Sequence, residues 1–105
     1  MAKPSKHMAK VLAYLSRLEN ARLTLHYSGK ILYYVSLQCD SPEFLRISKA
    51  THRAFQKRGW LEFDKRRDSG GLMGELPDGS QGIVSPSFNM DYKLSEEGRK
   101  IADSQ

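Results

Sequence analysis

The side chains with the greatest chemical reach in this chain cluster in one stretch, "ISKATHRAFQKRGWLEFDKRR", from Ile47 to Arg67. At helical pitch Lys49, His52, Arg53 and Gln56 step by three, one and three and so share one side, while Ile47, Ala50, Thr51, Ala54 and Phe55 share the other. The first set is a row of hydrogen-bond donors, two of them permanently cationic. Guanidinium and ammonium groups suit phosphate oxygens and guanine edges, and a carboxamide suits adenine. Charge is concentrated in the same place. From Phe44 to Arg67 eight cations (Arg46, Lys49, Arg53, Lys57, Arg58, Lys65, Arg66, Arg67) face two anions (Glu62, Asp64), a net of +6. The whole chain carries +5, which leaves −1 for everything else. Cations confined to one segment point to a polyanionic partner more than to a solvating coat.

Other chemistries find little to work with. His7, His26 and His52 fall in three separate segments and form no HExxH or similar ligand spacing, so no metal is expected. Cys39 is the single cysteine, which excludes an intrachain disulfide and a CxxC redox pair, and it reads as a small apolar residue. The glycines from Gly70 to Gly82 contain no GxxxxGK phosphate loop. No enzyme activity and no cofactor are expected.

The elements that must position the basic stretch can be read from hydrophobic spacing. Residues 1–7 are polar, contain Pro4 and read as a flexible arm before a single domain over 8–105. Met8, Val11, Leu12, Leu15 and Leu18 lie on one helical stripe, which predicts a core helix ending near Asn20. "RLTLHYSGKILYYVSL" alternates on both sides of Ser28-Gly29 and predicts a β-hairpin over 22–37. Around Pro42 to Leu45 either a one-turn helix or a loop fits. Ser48 is an N-cap for the basic helix, and Gly59 ends it, with Trp60, Leu61 and Phe63 entering a strand. Residues 68–89, rich in glycine and serine, read as a long mobile loop with Asp78-Gly79 at its tip and a brief strand at Gly82-Ile83-Val84. A strand over Met90–Leu94 and a helix from Glu96 to about Asp103, capped by Ser95, complete the chain.

"ISKATHRAFQKRGWLEF" followed by "YKLSEEGRKIA" resembles the recognition helix and wing of the winged helix-turn-helix DNA-binding proteins. There a Ser- or Thr-led helix ends in Arg-Gly, and the second wing strand runs into a Leu-Ser/Thr-x-x-Gly-Arg helix. The resemblance implies an α+β winged helix-turn-helix-like single domain, with a β-hairpin before the recognition helix and a long Gly-rich wing. It implies a small, sequence-preferring, double-stranded DNA-binding transcription regulator. By the same resemblance Ser48, Lys49, Thr51, His52, Arg53, Gln56 and Lys57 form the recognition-helix contacts, and Lys65, Arg66 and Arg67 form the cationic wing.

The alternative is a winged-helix protein-interaction module that binds an acidic protein partner, as in a phage or mobile-element protein, through Leu32, Tyr33 and Tyr34 beside the basic patch. The expected assembly is a monomer or a weak homodimer. With no signal peptide or membrane-length apolar run visible, the expected location is cytoplasmic.

Overall fold

Ser5 starts the first helix by accepting a hydrogen bond from the Met8 amide at 3.2 Å. The computed structural model describes residues 4–40 and 45–104, and within it α1 spans Lys6–Arg17. Two of the residues expected in a flexible arm, Lys6 and His7, therefore belong to the helix, because the Ser5 cap satisfies a first-turn amide that would otherwise face water unpaired. Met8, Val11, Leu12 and Leu15 are buried as their spacing predicts, but Leu18 is 40% exposed. The helix has ended by then: Leu18 is extended, and Asn20 adopts a left-handed φ of 57° that turns the chain into the first strand.

Five antiparallel strands follow in the spatial order β3-β2-β1-β5-β4. The expected hairpin is present as β1 (Arg22–Ser28) and β2 (Ile31–Gln38), turning at Gly29-Lys30. β3 (Leu45–Ile47) pairs with β2, placing Ile47 opposite Val35 in the core. Of the segment expected as a one-turn helix or loop, Pro42 to Leu45, positions 42–44 lie outside the described residues and Leu45 opens β3. Among the described residues strands, not a helix, separate α1 from α2 (Lys49–Lys57), so the order of elements differs from that of the winged helix-turn-helix.

The largest departure is the glycine-rich stretch. Instead of a loop over 68–89, β4 (Leu61–Glu75) and β5 (Gln81–Leu94) pair from Leu61↔Leu94 to Glu75↔Gln81, with register shifts between Phe63 and Lys65, Asp68 and Gly71, and Leu72 and Met73. Gly74 and Gly82 face each other across this ribbon, and neighbouring side chains fill the space they leave: Val84 lies over Gly74 and Leu76 over Gly82. Backbone pairing and this local packing outweigh the poor strand propensity of glycine. The expected tip at Asp78-Gly79 is correct. Gly79 has φ 87°, and the Asp78 carboxylate accepts from the Ser80 amide and hydroxyl.

The three helices among the described residues cover one face of the sheet. Leu23, Leu25, Val35, Leu37 and Leu94 from the strands share a single buried cluster with α1, Phe55 of α2 and Trp60. α3 (Glu96–Asp103), capped by Ser95, packs beside α1 and against this cluster through Ile101 and Ala102. The result is a small α+β single domain.

Candidate nucleic-acid interface

α2 is held at both ends. The Ser48 hydroxyl accepts from the Thr51 amide at 3.1 Å and lies 2.8 Å from the Thr51 hydroxyl. At the other end Gly59, at φ 72°, lets the Trp60 amide reach the Phe55 carbonyl and its own amide reach that of Gln56, the paired bonds of a Schellman motif. Ser48 and Thr51 are thus engaged in the cap, with Thr51 half-buried. Lys49, Arg53, Gln56 and Lys57 stand on the exposed side, and the helix contains no acidic residue.

His52 does not join them. It is 6% exposed and meets Tyr92 edge-on at 5.5 Å, whereas Ala50, expected inside, is exposed. His52 sits one turn before Phe55, so the centre of the buried stripe runs through Ile47, His52 and Phe55 rather than through Ala50. Burial, followed by the Arg53 cation, pushes the His52 pKa below its ordinary 6.5. Its Nδ1 is buried without a hydrogen-bond partner.

The ribbon base carries the three cations expected to act together, Lys65, Arg66 and Arg67, and strand geometry divides them. Phe63 pairs with Tyr92 on the helix-covered face; a bulge follows, after which Lys65, Arg66 and Arg67 oppose Asp91, Met90 and Asn89. Arg66 therefore shares the face of Met90 and α2, and its guanidinium lies 4.0 Å from the Phe88 ring centroid. Lys65 and Arg67 point to the other face. Arg67 is bound there: its Nε and Nη2 each donate to the Asp91 carboxylate at 2.9 Å. Asp91 is fully buried, accepts a third hydrogen bond from Thr24 at 2.8 Å and has Arg22 3.7 Å away. Arg67 serves this network first, which ties β4 to β5 and β1.

The exposed row on α2 continues onto the ribbon through a pair of rings. Phe63, which enters the strand as expected, is 52% exposed and touches Tyr92 edge-on at 5.7 Å. Burial raises the Tyr92 pKa, and a hydrogen bond with Gln56 opposes the shift. A single surface thus carries Lys49, Arg53, Gln56 and Lys57, then Phe63 and Tyr92, then Arg66. Spacing alone did not single out Phe63, Tyr92 or Asp91. Alternation in "NMDYKL" does separate Asp91 from Met90 and Tyr92, but nothing in the sequence pairs it with Arg67.

Beyond Arg67 the cations stop. From Asp68 to Tyr92 the chain holds Asp68, Glu75, Asp78 and Asp91 and no Lys or Arg. Leu72, Met73, Ile83 and Val84 are exposed near the tip. Tyr33 and Tyr34 do not extend the α2 surface. Tyr34 stacks on His26 at 4.0 Å under the Arg46 guanidinium, on the sheet face opposite the helices. Among the described residues no carboxylate lines the cleft beside His26. No described helix is long and apolar enough to cross a membrane. Comparison with protein-family models, with characterised proteins and with solved structures gave no match.

Proposed function

We propose that this protein binds double-stranded DNA with sequence preference, with α2 acting as a recognition helix and the base of the β4–β5 ribbon acting as a wing in a winged-helix-like mode. The observation that carries this reading is the outer face of α2. It holds three exposed cations and a carboxamide with no acid, on a helix capped at both ends and backed by the core. A major groove admits one helix of this kind, where Arg and Gln can each make bidentate contacts to a base edge. Arg53 and Gln56 face bases, Lys49 and Lys57 lie at phosphates, and Arg66 grips the neighbouring backbone. His52 supports the helix from beneath, and Arg67 supports the wing through Asp91. Such a molecule suits a small transcription regulator.

Titration of labelled duplexes tests this. Neutralised phosphates release counterions, so affinity falls steeply between about 50 and 200 mM salt. Arg53→Ala lowers discrimination between the best and a mismatched site by about 1–3 kcal/mol, whereas Arg66→Ala weakens all duplexes alike and flattens the salt slope by about one. Salt-insensitive binding, or none, removes the proposal. The reading as a module for an acidic protein partner has less support, because Tyr33 and Tyr34 lie on the opposite face from Lys49 and Arg53.

A further inference from the structure

The sheet face away from the helices is polar, and its residues run in rows across the strands. His26 opposes Tyr34 on β2 and Asn89 on β5, and Asn89 opposes Arg67 on β4. Arg46 of β3 opposes Ser36 in the neighbouring row, and its guanidinium reaches across to lie 4.9 Å from the Tyr34 ring centroid. The row thus reads Tyr34, His26, Asn89, Arg67, with the stacked rings at one end beneath the Arg46 guanidinium and the Arg67 guanidinium at the other. A second row holds Ser36, Thr24 and Asp91, with Lys65 at its end. Arg22, Lys65 and Lys93 line a further cleft, where they outnumber Asp40 and Asp64.

Tyr33 is the residue that nothing in the fold requires. The register of β1 and β2 slips between His26 and Tyr27, so Tyr33 is left unpaired. The bulge turns its side chain into the same cleft as Tyr34, a cleft of about 430 Å³ also lined by His26, Arg46, Ser87 and Asn89. Tyr34 is sandwiched between a ring and a guanidinium, but Tyr33 is 60% exposed and keeps a free aromatic face. An exposed ring beside an arginine and several hydroxyls, with no carboxylate among the described lining residues, matches one kind of polyanion: a single strand whose bases can leave the stack. Duplex DNA does not fit. Five strands span about 19 Å, wider than the roughly 12 Å major groove, and base faces inside a duplex cannot reach a tyrosine.

We infer that this face is a second binding surface that takes single-stranded DNA, a base stacking on Tyr33 while Arg46 and Lys65 follow the phosphates. The identification of the strand as DNA rests on the duplex reading of α2; the choice of a single strand rests on this face alone. Because the two surfaces lie on opposite sides of the sheet, one molecule can hold a duplex and an adjoining open strand together.

Fluorescence anisotropy with a labelled oligothymidylate of about twelve nucleotides tests the inference. Tyr33→Ala weakens this strand at least about fivefold and leaves duplex affinity within about twofold, while Arg53→Ala does the reverse. Arg46→Ala weakens the strand as well, and excess unlabelled oligothymidylate does not displace labelled duplex. Unchanged urea midpoints for the Tyr33→Ala variant exclude a folding defect, since its ring is exposed. The inference is overturned if the wild-type protein ignores the oligothymidylate, if Tyr33→Ala binds it normally, if only oligouridylate binds, or if single strand and duplex compete. Loss of the duplex reading has its own signature: wild-type protein binds the single strand but no duplex.

Discussion

His52 and Asp91 show how single residues here act by supporting others. Both His26 and His52 are held below their ordinary pKa of 6.5, chiefly by burial. The folded state therefore prefers neutral rings. Above pH 6.5 the rings are neutral in both states and the stabilisation is complete. As the pH falls below 6.5 the unfolded chain takes up protons first, and stability declines until the lower folded pKa values are passed. Urea unfolding at pH 7.5 and pH 5 is expected to show a lower midpoint at pH 5, with a smaller loss in His52→Phe. A midpoint that holds or rises on acidification contradicts the burial of these rings. Asp91→Asn keeps the shape of the side chain but removes the charge that Arg67 and Arg22 share. Because both arginines are partly exposed and can rehydrate, the expected loss is about 1–3 kcal/mol rather than the full cost of an orphaned buried charge. A denaturation curve identical to wild type would falsify the network as the link between β4 and β1.

The helices and the ribbon owe their positions to a few close approaches between elements. Gly98 in the first turn of α3 sits against the Trp60 carbonyl, so tightly that a Cβ there would strike backbone. The Ser95 amide donates to the same carbonyl at 2.8 Å, and the Ser95 hydroxyl donates to Gly59. The "LSEEGRK" motif therefore holds the end of α2 to the start of α3. Gly98→Ala is expected to cost at least about 2 kcal/mol, since backbone cannot yield as a flexible side chain can. Gly79→Ala, at a left-handed tip position with nothing within 4 Å, is expected to cost only about 1 kcal/mol. Thermal or urea melts of the two variants should separate them clearly, and equal losses would deny the Trp60 contact its role.

At the scale of the molecule the ribbon dominates the shape, which extends 57 × 28 × 20 Å. β1 borders β5 as far as Ser28↔Ser87, with the Gly29 amide donating to the Pro86 carbonyl and the Ser28 hydroxyl 3.4 Å from that of Ser85, so residues 72–84 lie past this contact and project from the sheet. The projecting part carries Glu75 and Asp78, no cation and four exposed apolar side chains. On the proposed reading, phosphate contact therefore falls to the ribbon base. Replacing residues 72–84 with a two-residue Asn-Gly turn is expected to leave duplex affinity within about twofold. If the protein forms a weak homodimer, the same deletion should abolish it, because the apolar stripe of α1 is already spent on the core. Sedimentation over a concentration series reads the second effect. A large fall in duplex affinity would place the tip on DNA.

Periodicity and capping were enough to read the features of the chain that depend on local chemistry. The α1 stripe, the hairpin over 22–37, the Ser48 and Ser95 caps, the Gly59 stop and the Asp78-Gly79 turn all follow from spacing and side-chain type, because each is decided within a few residues. The sides chosen by borderline residues were settled by contacts distant in sequence. His52 went inward because Tyr92 of β5 covers it, and Leu18 went outward because the chain turns at Asn20. Lys65, Arg66 and Arg67 look like one patch in sequence, yet a bulge and strand alternation send Arg66 to one face and its neighbours to the other. The ribbon depended most on tertiary structure, since glycine-rich strands carry little propensity of their own and take their register from the pairing of β5 with β1 and from the Asp91–Arg67 bond, neither of which any local window contains.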